Sequence, residues 1–434
     1  MNYNKEIFVK DYFDIHNHYV AMYKGKETNC KILILMAVGS FHECYNTDTD
    51  GPDLHTIGEK LDMVVTQKNK SKPLTTSNPR MMGFPSYIVD DAIEKIISIG
   101  YTIVRIDQTT EPPHPKREVV GIYSSSTHIN SNSSANNNIV CITLDALKLK
   151  TSSPLLCVGL ASYNMMTGEG CVYETVSTTN DHMMALDDAI RFLEKYTPSE
   201  IVYYCSKGLA SYLSTNNTIN HMTLPDILKY IGINDSTTCY KLNNHEILLN
   251  ASYQQTTLEK TFNDTMDSIN LHMYNMARLS LVGIIDFFKN HMPLLLNKLT
   301  KPIYFDKSNT LFLGNKAVEQ LDILPMDNKP KTLYNVINKT RTPMGKRLLK
   351  ENLSSPSIDP EVLNFRYNLI QMLMQDKLYA TLYNSMSNIA DIPRLVRKME
   401  LSKIYPNELV SFYNSFVQIN STFDCLPSSI KKLL

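Results

Sequence analysis

Three side chains with contact chemistry sit together in "GSFHECY" at 39–45, directly after the apolar run "ILILMAV" at 32–38. Phe41 offers a stacking ring, His42 an imidazole and Glu43 a carboxylate, at the end of a predicted strand. From these residues alone two readings stand open: a buried aromatic with polar neighbours, or a probe that touches another molecule. A second group follows. Residues 66–80, "TQKNKSKPLTTSNPR", carry Lys68, Lys70, Lys72 and Arg80 without an acid, among many Ser, Thr and Asn donors. That composition suits phosphate contact. Two further basic stretches, 339–350 (Lys339, Arg341, Lys346, Arg347, Lys350) and "RLVRKMELSK" at 394–403, read better as ordinary solvated loops and helix faces.

The elements that must position these groups follow from hydrophobic period. "KILILMAV" (31–38) is a buried strand bounded by Gly39, and "LHTIGEKLDMVV" (54–65) reads as helix, then strand. "SYIVDDAIEKIISIG" (86–100) places Ile88, Val89, Ala92, Ile93, Ile96 and Ile97 on one helix face, with Ser86 to cap it and Gly100 to end it. "YTIVRID" (101–107) and "EVVGIY" (118–123) alternate as strands. Residues 1–127 thus form an α/β unit, and "HINSNSSANNN" (128–138) reads as a surface linker. A second α/β pattern spans 139–255. "LLCVGLASY" and "EGCVYETV" flank a hairpin turn, then come the helix "MMALDDAIRFLEKY" and the strand "SEIVYYC". That order resembles the first half of a ribonuclease-H-like fold. From 256 to 434 the pattern is helical, with "DTMDSINLHMYNMARLSLVGIIDFFKNHM" (264–292) reading as one long helix. The expected fold class is multidomain: mixed α/β, then an all-α, elongated region.

Composition narrows the function classes. Apolar residues make up 43% and charged residues 20% of 434, which is a folded chain long enough for several domains. Lys+Arg and Asp+Glu both total 43, so a polyanionic partner must be read from local patches. The eight cysteines form no C-x-x-C pair and read as reduced, mostly buried thiols of an intracellular protein. The start has neither a signal-peptide nor a transit-peptide pattern. Apolar runs reach about seven residues, against the ~20 of a membrane span, so no membrane partner is expected.

Motifs for nucleotide, metal and nuclease chemistry fall short. A phosphate-binding G-x-x-x-x-G-K-[ST] loop is missing: around Gly345-Lys346, Thr340 holds the first glycine position and Arg347 follows. "NTDTDGPDLHTI" (46–57) starts like a calcium loop but ends in Ile57, where a bidentate Glu is required. "HNH" at 16–18 has no matching ligand cluster beside it. A nuclease of the ribonuclease-H type would carry an Asp on its first strand, and "LLCVGLASY" carries no acid. Neither metal nor catalytic residues are expected in this chain.

Taken in order, these segments resemble the N-terminal half of the MutS family of DNA mismatch-recognition proteins. "VGSFHE" is similar to the family's Gly-x-Phe-Tyr-Glu loop, with His42 where Tyr is usual. "KLDMVVTQKNKSK" (60–72), "MMGFPSYIVDDAIEKIISIGYTIVRIDQTTEPP" (81–113) and "KREVVGIYSSST" (116–127) resemble the rest of that first domain. "TLYNVINKTRTPMGKRLLKENLSSPSID" (332–359) and "DIPRLVRKM" (391–399) resemble the family's core signature. Low-GC residue usage points to a viral or organellar branch.

The resemblance implies a mismatch-recognition domain at 1–127, a connector at 139–255 and a helical core and lever region at 256–434. It implies that Phe41 stacks on a mispaired base from the minor groove. Glu43 then either accepts a hydrogen bond from the displaced base or, protonated, donates one. His42 would either add a cation at lower pH or pack, and Lys68, Lys70, Lys72 and Arg80 would hold phosphates. Double-stranded DNA with mispairs is the implied partner, together with a second copy in the full-length form and a MutL-type protein at the connector. ATP and Mg belong to the family's C-terminal ATPase domain, and by the core signature this chain is expected to stop before it. A metal-dependent nuclease and a partner-docking scaffold stand as the alternatives.

Overall fold

A computed structural model describes residues 7, 9–24, 30–67, 69–111, 115–128, 137–147, 154–215, 218–219, 221–233, 237–242, 246–314, 317–325 and 331–433. Lys68 and most of the 128–138 linker lie outside the described residues. The described chain is mixed α/β followed by helices, with two six-stranded sheets.

The first sheet is built from β1 (Lys31–Val38), β2 (Phe41–Asn46), β3 (Thr66–Gln67), β4 (Arg80–Pro85), β5 (Tyr101–Gln108) and β6 (Arg117–Tyr123), in the order β3-β4-β2-β1-β5-β6. β1 runs parallel to β5 and antiparallel to β2. Ile32, Leu33, Ile34, Leu35 and Met36 are all buried, as expected of a central strand covered on both faces. Helices α1 (Tyr12–Lys24), α2 (Leu54–Leu61) and α3 (Val89–Ser98) supply the cover. Two local readings differ from the sequence pattern. The strand expected after α2 is absent, because Asp62 turns left-handed (φ 54°) and its N–H closes on Gly58 O. Ser86 does not cap α3; a 3-10 turn over Ser86–Ile88 precedes the helix, and its hydroxyl lies 3.2 Å from the His42 imidazole instead.

The second sheet comprises β7 (Asn138–Leu147), β8 (Leu155–Asn164), β9 (Gly170–Val176), β10 (Pro198–Cys205), β11 (Cys239–Lys241) and β12 (Ile303–Tyr304), in the order β11-β10-β7-β8-β9-β12. Helices α4 (Met184–Lys195), α5 (Lys207–Ser214) and α6 (Leu224–Tyr230) join its strands. Then follow α7 (Glu246–Leu249), α8 (Ala251–Phe262), α9 (Met266–Ile269) and α10 (Asn275–His291). The single helix expected over 264–292 is broken: Asn270 is left-handed (φ 58°) and ends α9, and α10 starts afresh at Asn275.

α10 is buried nearly all round and lies across β7 and β8. The approach is so close that a Cβ on Gly159 would fall 2.3 Å from the Met276 backbone. Ser280 and Thr143 hydroxyls meet there at 2.8 Å. The helical region expected over 256–434 therefore does not stand apart as a unit. Its residues 275–304 belong to the packing of the second sheet, because the largely apolar surface of α10 needs burial on more than one side.

The two sheets are joined firmly. Glu200, 1% exposed, accepts from the hydroxyls of Ser124, Ser126 and Tyr240 and from the Ser126 N–H. Burial pushes its carboxyl up, and those four donors pull the other way. Tyr23 of α1 meets His291 of α10 at 2.7 Å.

The remaining helices are α11 (Ala317–Gln320), α12 (Leu333–Ile337), α13 (Pro343–Ser354), α14 (Pro360–Met374), α15 (Leu378–Ser385), α16 (Ile392–Glu400), α17 (Pro406–Asp424) and α18 (Ser428–Lys431). α13 begins as its sequence dictates, with Pro343 in the first turn and Thr342 Oγ1 accepting from Gly345 N at 3.1 Å.

Candidate nucleic-acid interface

The β1–β2 hairpin carries the candidate site. Gly39, at φ +62°, makes the turn that no bulky residue adopts easily, and nothing crowds its open side. Val38 pairs with Phe41 across that turn, and Phe41 pairs with Pro85 of β4 on the other side. Ser86 N donates to Ser40 O at 2.9 Å, so the turn is tied to the end of β4. The ring of Phe41 is 43% exposed at this sheet end. Phe41 is therefore not a core residue, and its side chain is accessible on a hydrogen-bonded hairpin.

Side chains alternate along β2. Glu43 shares the Phe41 face and is partly buried. Tyr45, two residues on, donates its hydroxyl to Glu43 Oε2 and stacks edge-on against Tyr12 of α1, which fixes the carboxylate. Burial, and then the Glu43 bond, raise the Tyr45 phenol, so it stays a donor. Gly83 lies opposite Glu43, where a Cβ would press the Glu43 chain at 3.3 Å.

His42 is on the other face, and this corrects its place among the expected mismatch contacts. It is 4% exposed, with Nε2 2.8 Å from Asp107 Oδ1 and Nδ1 3.2 Å from Ser86 Oγ. Strand alternation alone puts it there: with Phe41 outward, position 42 must point inward. Burial works against the Asp107 carboxylate, but the His42 and Arg105 bonds outweigh it and its pKa falls below the ordinary carboxylate value.

The basic loop sits at the opposite end of the β2–β4 ladder. Phe41 pairs with Pro85, whereas Arg80 pairs with Asn46. Five residues at ~3.3 Å each separate the two ends by roughly 17 Å. The loop is knotted around buried Asn78, whose side-chain amide donates to the carbonyls of Asn69, Lys72 and Pro73 and accepts from Asn69 N. Lys70 and Lys72 are exposed on its outside. Arg80 is partly committed to Asp48 at 2.8 Å. The acidic turn at 46–51 therefore serves that ion pair.

The structure adds residues that the sequence pattern passed over. Arg117 donates to Ala37 O at 2.9 Å, which places the adjacent pair Lys116 and Arg117 at the Phe41 end of the sheet. Their signal was the "KR" dipeptide at a strand start. Tyr87, 87% exposed, follows the Ser86–Ser40 tie. The later basic stretches depart from the solvated faces expected of them, since several of their cations are buried or paired within the chain. Arg347 makes a two-pronged pair with Asp391 at 2.5 and 2.8 Å, and Arg341 stacks 3.9 Å over Tyr383. Arg394 and Arg397 are buried, and Lys398 pairs with Glu408 at 2.5 Å.

The second sheet offers carboxylates, but they are engaged separately. Its first strand is β7, not "LLCVGLASY", and β7 does carry an acid, Asp145, which accepts from Ser206 Oγ. Glu174 caps the start of α10, accepting from Met276 N at 2.7 Å and Ala277 N at 3.0 Å. Glu200 is taken by the Ser124–Ser126 segment.

Family comparison agrees with this layout. Residues 15–132 match MutS domain I, and residues 316–433 match MutS domain III. The hairpin, Glu43 and the basic loop all lie in the first match; Arg347 and Asp391 lie in the second. A putative DNA mismatch repair mutS homolog of Acanthamoeba polyphaga mimivirus is 27% identical, over 97% of this chain and 40% of its own length. The DNA mismatch repair protein MutS of Thermotoga neapolitana is 25% identical, over 89% and 42%. A mitochondrial mutS homolog of Sarcophyton glaucum is 26% identical, over 84% and 39%. The chain thus spans about two fifths of the length of the curated relatives it matches. With domains I and III both present and in order, and with these relatives along most of its length, the chain belongs to the MutS family.

Proposed function

We propose that this chain binds double-stranded DNA at mispaired or distorted base pairs, as the recognition part of a mismatch-repair protein. The observation that carries this reading is the exposed Phe41 ring on a rigid hairpin within MutS domain I. Inserting an apolar ring between base pairs partly unstacks a step and kinks the duplex, at a cost of a few kcal/mol. A mispair is already poorly stacked, so the cost is smaller there, and selectivity comes from deformability without a base code. Glu43, held through Oε2 by Tyr45, presents Oε1 toward the displaced base. Its charge repels phosphates of a duplex that does not offer a hydrogen bond, which disfavours ordinary DNA. Lys70 and Lys72, on the loop at the far end of the β2–β4 ladder from Phe41, neutralise phosphates of the same duplex.

The second sheet supports a connector role. Its order β9-β8-β7-β10-β11, with β10 and β11 parallel to β7, is compatible with a ribonuclease-H-like fold. Asp145, Glu174 and Glu200 are each engaged by separate partners, which speaks against metal-dependent cleavage by these three; a MutL-type partner at this region rests on the family resemblance. α13 to α18 are read as core and lever. ATP and Mg are assigned to the family's ATPase domain, dimerisation to the full-length form, and no catalytic step to the residues described here. Among the described residues no helix is long and apolar enough to cross a membrane; an intracellular setting follows from the repair role.

Fluorescence anisotropy with a mismatched and a fully paired duplex tests the proposal. The expected result is tighter binding of the mismatched duplex, reduced to near parity by Phe41→Ala while non-specific binding persists. An unchanged preference in that variant would sink it.

A further inference from the structure

A line of polar contacts runs beneath the Phe41 strand and leaves the first sheet. His42 meets Asp107 at 2.8 Å, and Arg105 Nε donates to the same Asp107 oxygen at 2.9 Å. Arg105 Nη1 donates to Asp90 Oδ1 of α3 at 2.9 Å. The other Asp90 oxygen accepts from the hydroxyl of Tyr405, 2.5 Å away and 315 residues on in the chain. We infer that Tyr405 is a positioning residue for the strand that carries Phe41 and Glu43, acting through Asp90, Arg105, Asp107 and His42.

Tyr405 is well placed for this. It stands at the N-terminal boundary of α17, where its N–H donates to Glu408 Oε2 at 3.0 Å, and Lys398 lies 5.3 Å over its ring while pairing with Glu408. The helical region thus holds it from below. Above it a cavity of about 500 Å³ opens between the two regions, lined by Asp90, Arg105, Tyr123, His128, Lys403 and Tyr405 among others. The Tyr405–Asp90 bond spans this gap at its exposed side, next to Lys403, which lies 5.9 Å over the Tyr123 ring. The Asp90 bond, and burial after it, raise the phenol to about 12, so it remains a donor across the physiological range. At the other end His42 bridges two partners at once, Asp107 and Ser86, on the residue between the two proposed DNA contacts. Loosening Asp90 removes one of the two carboxylates that hold Arg105, and with it part of the support of Asp107 and His42 beneath the exposed end of β2.

This inference rests on the proposed mismatch reading only for its DNA readout, so two arms are used on the whole chain. In the first, amide hydrogen exchange is followed in the free protein. Tyr405→Phe, which keeps the ring, should speed exchange at 41–46 by about threefold or more, with the interior of α17 unchanged. Unaltered exchange at 41–46 overturns the inference whatever the DNA result. In the second, the ratio of mismatched to paired affinity is measured for Tyr405→Phe, His42→Asn and both together. The expected outcome is a several-fold loss in each single variant and no further loss in the double; multiplicative losses show independent action and overturn the coupling. A wild-type chain without any mismatch preference refutes the proposed function, and the exchange arm then decides this inference alone.

Discussion

Phe41 and His42 are neighbours in sequence and face opposite ways: the Phe41 ring is 43% exposed, while the His42 imidazole is 4% exposed and 2.8 Å from Asp107. Their removal should therefore have opposite signatures. Phe41→Ala is expected to change unfolding free energy by no more than about 0.5 kcal/mol. His42→Ala is expected to cost about 1–3 kcal/mol, because buried partners lose a hydrogen bond. Urea unfolding midpoints check both, and equal destabilisation would contradict the assignment of faces.

The exposed lysines of the knotted loop give a salt test. For a duplex carrying a mispair, Lys70→Ala and Lys72→Ala should each lower the slope of log K against log salt by about 1. The preference for mismatched over paired DNA should stay as it was, since phosphate contacts position and do not specify. Titrations between about 50 and 200 mM salt resolve a change of that size.

His128 supplies a pH dependence. Burial above all lowers its pKa to about 4; Asp90 pulls the other way, and Lys403 and Lys398 add smaller pushes downward. The unfolded chain protonates this imidazole near 6.5, the ordinary value. Between about pH 6.5 and about pH 4 the unfolded state thus binds more protons, and stability must fall as pH falls through that window. His128→Gln should flatten this part of the profile in thermal melts at stepped pH. An unchanged slope would mean that the imidazole is not held neutral.

Gly159→Ala tests the docking of α10. The added methyl would meet the Met276 backbone at 2.3 Å, and backbone cannot swing aside as a side-chain tip can. An overpacking cost of about 1–3 kcal/mol is expected, read as a lowered melting temperature. Gly100→Ala makes a useful contrast: nothing lies within 4 Å there, and only its positive φ of +88° is penalised.

Most of the first sheet was legible because its strands and helix α3 keep clean periods, and the "GSFHE" loop announced itself by placing an aromatic after a buried strand. The side-chain alternation that buries His42 was also implicit in that spacing. What could not be read was tertiary. Asn270 and Asp62 adopt left-handed conformations that a helical or strand-like period does not reveal. The largely apolar surface of α10 signalled burial but not against which sheet. The strand order that makes β7 the first strand of the second sheet depends on pairing across distant segments. The basic stretches at 339–350 and 394–403 show the same limit, since Arg347 and Asp391 are 44 residues apart yet neutralise each other.

The grip of Glu200 on Ser124 and Ser126 has a mechanical meaning. A ring driven between base pairs pushes back on the strand that holds it, and a tool on a loose joint would simply recoil. In the proposed complex that reaction force would leave the first sheet at 124–126 and enter the second through Oε2 of one buried carboxylate. A short duplex bends for a few kcal/mol, so under the proposed function the softer of the two bodies is the DNA, and the joint at Glu200 would leave it to the DNA to yield.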